Sequence, residues 1–283
     1  LERFEDPIFI IGAARSGTTM LGEILEHHPD VAYWLEPKYI WRYGNAAAVN
    51  DIRRASEAND RIKRYIRKRF ARFVKKKGAI RFVEKTPSNV FRIPFIDAVF
   101  PEARYIHILR DGRDVILSAH KKWTTRPNRA ALIRRLRRME LPFSEWPQYF
   151  LSFVRDVPGR TLMPGKGFIW GPQFEGIKEY RAAHTVLETC ARQWIESVDH
   201  ATKALAEVSR DRVLTLSYEH FLASPETELK KILEFADLDL KPADKMLDKV
   251  DVLPHRKRSA KDELRLEPVA SMIRGTLKEL GYS

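Results

Sequence analysis

The chain has 283 residues, enough for a full hydrophobic core, and its 44% hydrophobic and 31% charged content excludes a disordered or fibrous protein. No apolar run approaches the roughly 20 residues that span a bilayer, and the single cysteine, Cys190, excludes an intrachain disulfide and reads as a small core residue on a helix. A formal net charge of +13 points to an acidic partner (nucleic acid, an anionic membrane, a polyanionic substrate or a multiply charged cofactor) without choosing among them.

The first predicted strand, Ile8–Ile11, runs into a turn bounded by Gly12 and Gly17 and then into a helix. Backbone N–H groups of such a turn converge on one spot, and the helix dipole favours negative charge there, so the segment builds an anion cradle. The Gly-x4-Gly spacing is that of a triphosphate-binding loop, yet the lysine slot holds Thr18, followed by Thr19, and the basic residue is Arg15 inside the turn. A second strand, Val31–Leu35, ends at Glu36. Residues 51–78 read as an amphipathic helix with Ile62, Ile66, Phe70, Phe73 and Val74 on one face and Arg and Lys elsewhere.

A third strand, Arg81–Val83, precedes Lys85, and a helix is expected from Asn89. The fourth, Arg104–Leu109, carries His107 as a core histidine and ends at Arg110, where a helix starts at Asp111 with Ser118 two turns in and His120 on its surface. An arginine at the C-terminal end of a strand faces the crevice where open α/β sheets bind ligands, and its fork suits a phosphate. Residues 124–176 combine an Arg-rich helix, Arg134 to Arg138, with a Pro/Gly/aromatic stretch. Trp146, Tyr149, Phe168, Trp170 and Phe174 would there form an apolar or sugar-stacking wall for an acceptor, or simply pin the loop. Helices near Lys178 and from Pro225 flank a last strand, Arg212–Leu216, and Ser224-Pro225-Glu226 is a capped helix start. The alternation predicts an α/β fold with a mostly parallel central sheet of about five strands. It reads as one domain over 1–283, with a helical insertion at about 51–78 and a substrate-loop insertion at about 124–176.

Arg15-Ser-Gly-Thr-Thr19 after the first strand, and Arg110 with Ser118, stand in order with Leu25-Glu-His-His-Pro-Asp30, Glu84-Lys-Thr-Pro87 and Leu216-Ser-Tyr-Glu-His-Phe-Leu-Ala-Ser-Pro225. This ordered set resembles the sulfotransferases that use 3′-phosphoadenosine-5′-phosphosulfate (PAPS). The likeness spans roughly residues 7–120 and 185–240 and is closer to glycan- and protein-modifying or bacterial branches than to cytosolic small-phenol enzymes. It implies a P-loop-like three-layer fold and transfer of a sulfuryl group from PAPS, leaving PAP, to a hydroxyl of a glycan, glycolipid, peptide tyrosine or small metabolite. By the same resemblance, Arg15, Ser16, Gly17, Thr18 and Thr19 grip the 5′-phosphate and sulfate, Arg110 and Ser118 hold the 3′-phosphate, and Tyr218 lies near the adenine. A sulfuryl group carries less charge than a γ-phosphoryl group, so the bridging Mg²⁺ of phosphoryl transfer is not expected, and the eight scattered histidines suggest no other metal site.

Transfer to an alcohol needs a base and a cation near the leaving oxygen. The resemblance makes Glu36 the base and Lys85 the cation. The plainer alternatives are a rim carboxylate paired with Lys38 or Arg42 and a solvated strand-end lysine. The Lys-x-x-Gly-x-x-Gly segment of cytosolic members is absent, and Arg256 and Lys257 in His255–Ser259 are the candidates to cover the 3′-phosphate in its place. Two other functions compete: a nucleotide kinase or ATPase with a degenerate loop, against which the missing lysine weighs, and a module whose basic helix, 61–77, docks on a polyanion or membrane. Peripheral membrane contact fits the charge, nucleic acid less so. A cytoplasmic location is the expectation for a complete chain; the missing initial Met leaves room for an upstream signal or anchor.

Overall fold

A computed structural model of the protein describes residues 5–45, 48–125, 169–250 and 258–282. Five strands form the sheet: β1 (Glu5–Ile11), β2 (Val31–Leu35), β3 (Arg81–Lys85), β4 (Arg104–Leu109) and β5 (Val213–Ser217). Every neighbouring pair is parallel, in the order β2-β3-β1-β4-β5. The described helices are α1 (Thr18–Glu26), α2 (Lys38–Trp41), α3 (Asp60–Lys77), α4 (Ile93–Val99), α5 (Gly112–Thr124), α6 (Ile177–Ala183), α7 (Val186–Ala206), α8 (Tyr218–Ala223), α9 (Pro225–Phe235), α10 (Ala243–Leu247), α11 (Ala260–Leu266) and α12 (Ala270–Glu279).

The continuous apolar run of β1 is explained by burial on both faces, as parallel strands require. Ile8 and Ile10 pack with Leu21, Ile24 and Leu25 of α1 and with Leu229, Ile232 and Leu233 of α9. Phe9 and Ile11 face the opposite layer, with Ile62, Ile66 and Phe70 of α3 and Phe95 of α4. The apolar stripe of α3 is therefore core, as its periodicity predicts. A third cluster joins α5 to α7 and to the C-terminal helices through Val115, Ile116, Trp194, Ile273 and Leu277, and Cys190 is buried in it. No described helix is long and apolar enough to cross a membrane.

Several expected boundaries shift. Strand β3 runs two residues further than predicted, so Glu84 and Lys85 belong to the sheet, in register with Phe9 and Ile10 of β1. The α-helix expected at Asn89 is a 3-10 turn, Pro87–Phe91, and the α-helix starts at Ile93 with Pro94 in its first turn. Pro87 and Pro94 each open a new helical segment because proline tolerates only the first turn. The helix expected over 51–78 starts at Asp60, where the Asn59 side chain accepts a hydrogen bond from the backbone N–H of Ile62. Of the predicted second insertion, residues 126–168, including Trp146, Tyr149 and Phe168, lie outside the described residues. Phe174 is 5% exposed and packs in the core rather than on an acceptor wall. Trp170 packs against the third cluster, and Gln193 donates to its carbonyl and to that of Pro172, pinning this segment to α7.

Candidate active site

The sheet order reverses around β1, and the crevice at the C-terminal ends of β1 and β4 is the position where open α/β sheets receive ligands. Gly12 must lack a side chain, since a Cβ there would stand 2.7 Å from the carbonyl oxygen of Ile108 in β4. Gly17 adopts φ +91° as the N-cap of α1, and a Cβ there would stand 2.3 Å from the ring of Tyr218. Arg15 also has positive φ, +80°, which is uncommon outside glycine. The turn is closed by Ser16 N–H donating to Ala13 O at 3.1 Å. Ser16 and Thr18 are buried beneath it, and Thr19 is half-buried in the first turn of α1.

Arg110 and Ser118 meet this turn from the β4–α5 side. Arg15 Nε donates to Ser118 Oγ at 2.9 Å, and Arg110 Nη1 donates to the carbonyl oxygen of Arg15 at 3.0 Å. The Arg110 guanidinium lies 4.2 Å from the centre of the Tyr218 ring, a stacked cation–π arrangement. Tyr218 is the first residue of α8, and its ring fills the space between Gly17 and Arg110. Two like charges thus stand side by side. Partial burial, and next the charge of Arg110, push the Arg15 guanidinium below its usual pKa. The Arg110 Nε atom is buried without a hydrogen-bond partner. Such an arrangement is unfavourable in isolation and is relieved by an anion between the two forks.

Glu36 and Lys85 meet at the other side of the crevice. Leu35 pairs with Lys85 in the β2–β3 ladder, and Glu36 N–H continues it by donating to Lys85 O at 2.9 Å. Lys85 Nζ donates to Glu36 Oε1 at 3.1 Å, while Lys38 approaches Glu36 Oε2 at 3.4 Å. Glu36 therefore pairs with both lysines. Lys85 is not a solvated strand-end residue but 3% exposed, and burial lowers its pKa against the opposing pull of Glu36. Glu36 has φ +52°. Only three non-glycine residues among those described have positive φ, and two of them are Arg15 and Glu36; such strain concentrates at functional sites.

Behind Lys85 sits a residue that sequence reading did not single out. Glu84 points to the opposite face of β3, is fully buried, and accepts hydrogen bonds from Thr86 Oγ1, Asn89 Nδ2 and Trp41 Nε1. Its donors come from α2, which follows Glu36, and from the turn that follows Lys85, so it ties the two flanks together. Burial outweighs those bonds and pushes its carboxyl up to about 7. An acid directly after the apolar pair Phe82-Val83 of the strand was the available signal. His107 is buried, and burial pushes its pKa down to about 4. His120 is half-buried on α5, with its pKa lowered by partial burial and by Arg265. Arg256 and Lys257 lie outside the described residues; the next residue, Arg258, reaches the start of α5.

The fold is that of a phosphate-loop α/β protein whose loop holds Thr18 at the lysine position of the triphosphate-binding form and carries its cation, Arg15, inside the turn. The model of the Sulfotransferase family matches residues 7–153 and 148–242, and the chain belongs to that family. Among curated proteins it is similar to a provisionally named protein-tyrosine sulfotransferase of Caenorhabditis briggsae, 33% identical over 127 residues, covering 42% of this chain and 44% of that one. It is also similar to the protein-tyrosine sulfotransferase of Drosophila melanogaster, 21% identical over 277 residues, covering 93% of this chain and 45% of that one. The chain spans half the length or less of these curated relatives. The crystal structure of sulfotransferase STF9 from Mycobacterium avium shares the fold, with TM-score 0.54 and 16% identity, covering 99% of this chain and 78% of that one.

Proposed function

We propose that this protein transfers a sulfuryl group from PAPS to an acceptor hydroxyl. The observation that carries this reading is the convergence of Arg15, Arg110 and Ser118 on a glycine-bounded turn, with the carboxylate of Asp114 4.0 Å from Arg110. The residues present fit the donor. The loop's backbone and Thr18 and Thr19 offer N–H and O–H donors to a 5′-phosphosulfate. Arg110, with its unpartnered buried Nε, and Ser118 offer donors to a 3′-phosphate, and Tyr218 offers a ring face for a base.

PAPS supplies the sulfuryl group, and this chain's residues handle the proton and the charge. Glu36 takes the proton of the acceptor hydroxyl as its oxygen attacks sulfur in line, and Lys85 stabilises negative charge on the oxygen that leaves. Their 3.1 Å contact orients the carboxylate before the acceptor arrives. Positive charge for the transfer comes from Arg15, Arg110 and Lys85, which makes a metal-free reaction sufficient for a group of this charge. The acceptor is a hydroxyl of a peptide tyrosine, glycan, glycolipid or small metabolite; tyrosine peptides come first in the test because three relatives carry that activity in their names. The experiment is transfer of labelled sulfate from PAPS to a panel of tyrosine peptides, glycans, glycolipids and phenols. Label in one class is expected; no transfer to any class together with no binding of PAP would overturn the reading.

A further inference from the structure

The chain's C-terminal helices are fastened to the turn that follows Arg110. Asp111 caps α5, accepting from Arg113 N–H at 2.9 Å, and its own N–H donates to Glu219 Oε1 at 3.0 Å. Glu219 Oε2 in turn accepts from Tyr282 Oη at 2.8 Å, near the end of the chain. The other end of the helical pair is held by Arg258. Its Nη1 donates to Asp111 Oδ2 at 3.0 Å and to Asp114 Oδ1 at 2.9 Å, and its Nε donates to Glu263 Oε1 at 2.8 Å. Arg258 directly precedes Ser259, the N-cap of α11, whose hydroxyl and N–H both donate to Asp262. This reciprocal cap fixes the backbone from which Arg258 reaches out.

Asp114 therefore stands between two guanidinium groups. Arg258 is hydrogen-bonded to it, while Arg110 Nη2 remains 4.0 Å away and spends Nη1 on the carbonyl oxygen of Arg15. Asp114 is 9% exposed, so water does little to satisfy it. A buried carboxylate deprived of one arginine recruits the next one within reach. Here that is Arg110, one turn away on the same segment.

We propose that Arg258 is a positioning residue for the donor site: by holding Asp114 it keeps Arg110 turned toward the loop and available to an anionic ligand. The inference rests on the reading that Arg110 meets the 3′-phosphate. It assigns to the C-terminal segment a role in nucleotide affinity exerted through a carboxylate rather than by contact with the nucleotide. Lost, Arg258 lets Asp114 capture Arg110, and the 3′-phosphate loses its fork while the 5′-phosphate keeps the loop.

The test is calorimetric binding of PAP and of 5′-AMP to the wild type, Arg258→Gln, and Arg258→Gln combined with Asp114→Asn or with Asp111→Asn. Arg258→Gln is expected to weaken PAP about tenfold, in line with coupling between contacting charges, and to leave 5′-AMP within about twofold, which also reports an intact fold. Asp114→Asn is expected to restore PAP binding in that background, since the amide no longer competes for Arg110. Asp111→Asn removes the same charge from the other partner of Arg258, preserves a good N-cap, and is expected to restore nothing. Unchanged PAP affinity in Arg258→Gln, or equal rescue by both asparagines, would overturn the inference and leave the donor site standing. A wild type that binds PAP no better than 5′-AMP would overturn the 3′-phosphate reading, and the inference with it.

Discussion

The two halves of the crevice are built on opposite principles. The loop side, from Gly12 to Gly17 with Arg110, is made of backbone geometry and two cations held close together, an arrangement that favours an anion. On the other side the cation already has its counter-charge, a buried lysine, Lys85, paired with the half-buried carboxylate of Glu36. Under the proposed reaction, one half serves affinity and the other a proton and a developing charge. Affinity and turnover are therefore expected to separate by mutation, and the following changes test that division.

The largest expected effect is on turnover. Glu36→Gln keeps the size of the side chain but cannot take a proton, and sulfate transfer is expected to fall by about 10²–10⁴-fold with PAP affinity unchanged. Unaltered transfer in a steady-state assay would remove Glu36 from the role of base.

The next concerns the support behind that side. The Glu84 carboxyl titrates near 7 in the fold and near the ordinary 4.5 when unfolded. Its raised value means that the stability it contributes is full below pH 4.5 and is lost as pH rises through 7, because the unfolded chain releases the proton first. Glu84→Gln carries no such titration. Chemical denaturation of both proteins is expected to show the variant gaining on the wild type by about 3 kcal/mol between those limits. A pH-independent difference would contradict the burial assigned to Glu84.

On the loop side, Arg110→Ala is expected to weaken PAP about 10- to 100-fold, the worth of a charge-assisted contact, and to leave 5′-AMP nearly unchanged by calorimetry. Equal losses for both ligands would contradict a 3′-phosphate contact. The smallest effect belongs to Gly17→Ala, where positive φ and the Tyr218 ring oppose a Cβ. A loss of about 1–2 kcal/mol in thermal or urea unfolding is expected; a neutral substitution would show that the loop is looser than described.

Sequence alone made much of the loop side legible because its signals are local. Strands β2 and β4 coincide with their predicted bounds, since short apolar runs between turn residues leave little freedom. Arg110 and Ser118 fall where a strand end and a helix face put them. The turn from Pro87 to Phe91 was misread because Asn89 is committed to Glu84, a tertiary contact that no periodicity reports. The role of Glu84 was hidden for the same reason: one of its three donors, Trp41, lies 43 residues away in sequence. Arg258 stands in the basic segment His255–Ser259 with nothing to single it out, and only the fold brings it to carboxylates more than 140 residues away. Phe174, an aromatic in a Gly- and Pro-rich stretch, is equally consistent with a binding wall or a core plug until its neighbours are known.

The most direct test of the division between the two halves is the affinity of the unmodified protein for PAP against 5′-AMP, measured by calorimetry. Tighter binding of PAP by at least about tenfold is expected, because the extra phosphate meets Arg110 and Ser118. Equal affinity for the two nucleotides would mean that the paired arginines do not read a 3′-phosphate, and the account of the loop side would fail.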